Sequence, residues 1–238
     1  MNSTLAIDLT QPWSPEDVKF IETEYGNDTK QSLSGQALFV DKDEGTLYTW
    51  AGRTSNGETI RTQSELWRFN PDGKGSGEWT EPIFVSDGAM TSLQRTVGSA
   101  TASTDDSVFI FGGLSTKDTM LEAMGYSRSW IDHSIGGGSW LEHDETPCSK
   151  SGQIYGGAAV YAPNITYTGL LFVLGGYEDP DDPDTGLSFE TVHFMIPGTE
   201  DWLSQKTTGV IPEPRYDFCA VGVESYSDGA YEGPMLDM

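Results

Sequence analysis

The chain has 238 residues, a length that suits one domain or part of one. It carries 37 Asp and Glu against 13 Lys and Arg, a net charge of −24. That argues against nucleic acid, whose phosphates need Lys and Arg, and against anionic membrane surfaces.

From the N-terminus, residues 3–9 alternate in polarity like a strand and residues 18–23 read as a second one. They have the look of the last two strands of a unit, and 2–24 is therefore taken as a partial unit. No basic segment followed by a long apolar core opens the chain, so no secretory leader is visible. No apolar run approaches the ~20 residues needed to cross a bilayer, and no direct membrane contact is expected. Asn2, Asn27 and Asn164 nevertheless each begin an Asn-x-Ser/Thr sequon and are glycosylation candidates. The compartment of this chain stays open, while a longer parent protein would be extracellular or membrane-anchored.

Three full units follow, at 33–85, 96–146 and 154–208. In the first, strand a is small and apolar (35–40) and strand b ends in glycine (46–52). Strand c is aromatic (65–70), and strand d carries Trp79 (78–82). The glycine-closed strands lie in 45–52, 105–116 and 169–176. Their last glycines, Gly52, Gly113 and Gly176, are 61 and 63 residues apart. Trp79, Trp140 and Trp202 keep steps of 61 and 62. Ala37, Ala100, Ala159 and Ala220 keep steps of 63, 59 and 61, and Trp67, Trp130 and His193 steps of 63 and 63. A fixed period of this size marks a repeat architecture. Residues 216–224 begin one more strand a, but 226–238 contains no Gly-Gly pair and no aromatic strand, so 216–238 is a second partial unit. The b–c connections (53–63, 114–124, 177–187) and the d–a connection 84–94 are long. Long loops on a rigid scaffold are where binding concentrates.

These residues resemble kelch repeats, in which a strand ending in Gly-Gly is followed by an aromatic and then by a Trp in the last strand. Gly112, Gly113, Trp130 and Trp140 fit the pattern, as do Gly175, Gly176 and Trp202. The first unit departs, with Ala51 before Gly52. The period also exceeds the usual kelch length of about 50. The resemblance covers nearly the whole chain and implies an all-β fold, a kelch-type β-propeller. It would have about three full four-stranded blades and partial blades at both ends. Fungal secreted or membrane-anchored kelch proteins look closest. Two closures compete. The termini could complete one blade between them, making a four-bladed ring, or the chain could be a truncated propeller. Truncation is favoured, because no leader is visible, the tail breaks off abruptly and 225–238 offers no evident strand b; an open arc would leave blade edges unpaired. Self-association through those edges is then expected.

In kelch proteins the segment leading into strand a lines the channel mouth. The resemblance therefore makes Arg95 and Arg215, each five residues before a repeat alanine, ligand-binding candidates. Arg53 and Arg61 join them from the first b–c loop. The acidic run 178–184 lacks the glycine and closing Glu of an EF-hand and reads as a solvated loop. Cys148 lies in a loop and Cys219 in an inner strand; they read as a loop thiol and a buried small residue, not as a disulfide. No CxxC pair or Cys/His cluster suggests a metal, and no cofactor is expected. The repeat phase of Trp79, Trp140 and Trp202 assigns them to packing between blades.

The function that follows is a non-catalytic interaction module. It would bind a protein or carbohydrate, and not nucleic acid, through the long-loop face. The alternative is a fungal kelch-like enzyme with a channel-mouth pocket, either a pathway enzyme or a copper-radical oxidase. The oxidase needs two His and two Tyr at the channel, whereas the three histidines here fall in or beside outer strands.

Overall fold

The computed structural model describes residues 3–24, 31–54, 66–83, 90, 92–120, 122, 125–179, 181–225, 231–232 and 235–237. Arg61, Asn2 and Asn27 lie outside them. Strand β1 (Ser3–Ile7) pairs with β2 (Phe20–Glu24) as an antiparallel hairpin. Next come β3 (Leu33–Ser34), β4 (Ala37–Asp41), β5 (Thr46–Trp50), β6 (Arg53–Thr54), β7 (Leu66–Pro71) and β8 (Gly77–Ile83). The second unit holds β9 (Ala100–Ser103), β10 (Ser107–Phe111), β11 (Leu114–Ser115), β12 (Gly125–Tyr126), β13 (Trp130–Ser134) and β14 (Trp140–His143). The third holds β15 (Ala158–Ala162), β16 (Leu170–Leu174), β17 (Thr191–Ile196) and β18 (Asp201–Lys206). The chain closes with β19 (Phe218–Ala220), β20 (Val223–Glu224), β21 (Tyr231–Glu232) and β22 (Met235–Asp237).

Among the described residues there are three four-stranded antiparallel sheets, β4-β5-β7-β8, β9-β10-β13-β14 and β15-β16-β17-β18. Each is a meander in chain order, because each connection joins strands that pair with one another. The first strands adjoin in sequence, β4 against β9, β9 against β15 and β15 against β19, so the sheets stand side by side around them. Two buried clusters fill the gaps. Trp50, Phe39, Val108, Ile110 and Trp140 pack between the first and second sheets. Phe111, Trp130, Leu171, Val173 and Met195 pack between the second and third.

The strand-d tryptophans interlock neighbouring sheets as their shared phase requires. Trp140 meets Trp50 of the preceding sheet at 5.1 Å. Trp202 meets Phe111 edge-on at 5.6 Å. Trp79 instead donates its indole N–H to Thr4 Oγ1 of the N-terminal hairpin at 3.1 Å. Backbone bonds add a second tie. The glycine that closes each strand b donates to the segment leading into the next unit: Gly52 to Thr96 O (3.1 Å), Gly113 to Ile154 O (2.7 Å) and Gly176 to Arg215 O (2.9 Å).

Pairing corrects two repeat registers by one residue. The residues opposite the ends of β5, β10 and β16 are Ala37, Ala100 and Ala158, not Ala159. Leu66 and Trp130 lie opposite Trp50 and Phe111, whereas Trp67, Ile131 and His193 lie opposite Thr49, Ile110 and Val173. Trp130 thus faces the following sheet, while Trp67 and His193 face the preceding one. Side chains alternate along a strand, so a slip of one residue exchanges the two faces. A third correction concerns the C-terminal unit. β19 does acquire a partner, because Phe218, Cys219 and Ala220 pair with Asp237, Leu236 and Met235. The polar, glycine-punctuated residues between them had concealed it. The cysteines also exchange places: Cys148 is buried, Cys219 is exposed, and they form no disulfide.

Candidate functional site

Two long-loop classes meet where the second sheet passes to the third. The d–a connection contributes Pro147, Cys148, Ser149 and Lys150. The b–c connection and the start of β17 contribute Glu178, Asp184–Ser188 region residues, Glu190, Thr191 and His193. Together they line an open cleft of about 550 Å³. Cys148 and Leu187 belong to the buried cluster beneath and give the cleft an apolar floor. Hydroxyls and carboxylates form its walls, with Lys150 as a counter-charge. Lys150 N–H donates to Glu178 Oε1 at 2.6 Å, which pins the two loops together.

The acidic run is held by its own side chains. Asp179 Oδ1 accepts from Asp181 N–H (3.0 Å), and Asp182 Oδ1 accepts from Asp184 N–H (3.0 Å). Thr185 Oγ1 donates to Asp182 O at 2.7 Å. Asp182 caps the single 3-10 turn Pro183–Thr185. These carboxylates close turns, as short acidic side chains do, and do not converge on one point. Burial lowers the pKa of His193 below its ordinary value, so at neutral pH the imidazole on the cleft wall is uncharged. Burial raises that of the Cys148 thiol, which stays protonated.

Among the described residues, the arginine candidates Arg53, Arg95 and Arg215 do not gather at this cleft. Arg53 is exposed on β6, which pairs with β3. Arg95 is only 4% exposed and Arg215 is half-buried. They occupy different repeat positions. The residues accepting from the closing glycines are Thr96, Ile154 and Arg215, so Arg95 precedes that position by one. The left-handed residues Gly98, Gly156 and Asp217 stand two after it and carry the same register. Asn164 is exposed in the turn between β15 and β16.

One further cluster was hidden from the sequence. Asp132 on β13, His143 on β14 and Glu200 before β18 bring one donor atom each within 4.8 Å of one another. They are 11 and 57 residues apart in the chain, and no ligand spacing announces them. The available signal was strand alternation, which turns Asp132 and His143 toward the third sheet along with Trp130.

Neither a protein-family model nor a curated protein matches the chain. Solved structures do match. That of YjhT has a TM-score of 0.59 at 12% identity, covering 92% of this chain and 63% of YjhT. The fold is a β-propeller. The chain spans less than two thirds of YjhT's length, and at this identity the likeness concerns the fold alone. The three four-stranded sheets are its blades, and the cleft lies on the face where b–c and d–a loops emerge.

Proposed function

We propose that this propeller is a kelch-type binding module that takes a basic protein segment in the cleft between its second and third blades. The observation that carries this reading is the composition of the cleft. Glu178, Asp184 and Glu190 outnumber Lys150, hydroxyls of Ser149, Thr185, Ser188 and Thr191 lie between them, and the floor is apolar. Such a groove suits Lys or Arg side chains, whose stems lie on apolar surface while their charged heads meet carboxylates. The net charge of −24 would speed the encounter with a basic partner. A carbohydrate is the weaker reading because no Trp, Tyr or Phe ring stands among the described cleft residues to stack on a sugar.

The test is binding of the purified chain to arrays of Lys/Arg-rich peptides and of glycans. Peptide binding should weaken several-fold in Glu178→Gln with Glu190→Gln, and should weaken with added salt. Glycan binding indifferent to those substitutions would overturn the reading.

A further inference from the structure

We propose that Asp132, His143 and Glu200 form a divalent-metal site that ties the second blade to the third. His143 Nδ1 and Glu200 Oε2 are 3.6 Å apart, too long for a hydrogen bond. Two ligands bound at about 2.1 Å to a tetrahedral ion are separated by about 3.4 Å, close to this spacing. The imidazole is held in plane by Trp130, stacked at 3.7 Å with an interplanar angle of 5°. Asp132 receives the Ser107 hydroxyl at its carboxyl group, yet its Oδ1 is shut off from solvent and has no hydrogen-bond partner of its own among the described residues. A buried carboxylate oxygen without a donor needs a cation or a proton.

The third ligand is set by an unusual backbone. Glu200 has φ of 60° in the turn between β17 and β18. In the second blade the corresponding turn residue, also two before the strand-d Trp, is Gly138, with φ of 69°. The two turns share one closing bond: Glu200 N–H donates to Ile196 O (2.7 Å) and Gly138 N–H to Ser134 O (2.8 Å). Glutamate thus stands where the local geometry suits glycine, and its carboxylate reaches the neighbouring blade. One imidazole and two carboxylates suit zinc or a similar first-row ion, with a remaining position for water. They are too few for calcium, which takes six to eight oxygens.

The test uses the whole chain stripped with a chelator, then titrated with zinc by calorimetry and followed by thermal melting. We expect one zinc per chain and a raised Tm. Asp132→Asn and Glu200→Gln should each weaken zinc binding at least tenfold, while Asp181→Asn, in the acidic loop, should not. Cobalt should give the visible absorption of a four-coordinate ion, lost in His143→Gln. If His143→Gln fails to fold, the two carboxylate variants still decide. Zinc binding unchanged in both of them, or absent from the wild type in the micromolar range, would leave His143 as an ordinary partner of two carboxylates and overturn the proposal.

Discussion

Trp140 shows how one side chain joins two blades. It is 2% exposed, stacks on His133 of its own blade at 3.9 Å and meets Trp50 of the preceding blade at 5.1 Å. Trp140→Ala should therefore destabilise the protein by about 3–5 kcal/mol, read as a lower denaturant midpoint. His133 is buried beside it, and its Nδ1–H donates to Ser139 O at 2.9 Å. Burial holds its pKa below the ordinary 6.5. The unfolded chain then binds this proton more readily than the folded one. Stability from this residue is full above about pH 6.5 and declines as pH falls toward the folded pKa. His193, also depressed, acts in the same sense. Asp132, whose carboxyl is raised, acts in the opposite sense at lower pH, gaining stability when protonated. Denaturation midpoints between pH 7 and 5 should fall for the wild type and fall less for His133→Phe. Equal slopes would remove His133 from the account.

At the scale of the element, the glycine pairs that end strands b are fixed by what they touch. Gly113 has φ of 94°, and a Cβ there would lie 2.7 Å from Thr96 Cβ and 3.0 Å from Val97 O. Its N–H also makes the tie to Ile154 O in the next blade. Gly113→Ala combines a left-handed backbone with a clash on another segment and should cost about 2 kcal/mol or more. An unchanged melting curve would show that this junction is looser than its geometry. Gly45 is a contrast, since φ is 64° but a Cβ would meet nothing within 4 Å. Gly45→Ala should cost less than Gly113→Ala in the same assay.

On the scale of the molecule, apolar residues remain exposed at both ends of the row of blades. Leu5, Leu9 and Phe20 lie in and beside the N-terminal hairpin, and Val221 and Val223 in the C-terminal unit. Exposed apolar strands promote association, whereas a net charge of −24 opposes it. Salt screens the repulsion and leaves the apolar attraction, so raising NaCl to about 0.5 M should increase the mass seen by light scattering. Leu5→Lys with Phe20→Lys should suppress that increase. A mass independent of salt would mean that these surfaces do not meet.

Much of the fold was legible in the sequence, and physical reasons separate that part from the rest. A propeller repeats one unit, so each unit needs a glycine where strand b meets a neighbouring backbone and a large aromatic where strand d covers it. Gly52, Gly113 and Gly176, with Trp79, Trp140 and Trp202, recorded both requirements at one period. Within a strand the sequence could not distinguish Ala158 from Ala159 or place Trp130, because small and apolar residues fit either face and only hydrogen-bonded pairing sets which face is which. It could not supply a partner for β19, since backbone bonds are indifferent to the polar residues of 225–238. The candidate sites lie further beyond it. The cleft exists because loops from two blades converge, and Asp132, His143 and Glu200 meet because alternation turns two side chains toward a turn of the next blade. Composition and period determine the kind of unit, but the packing of one unit on another decides which side chains share a space.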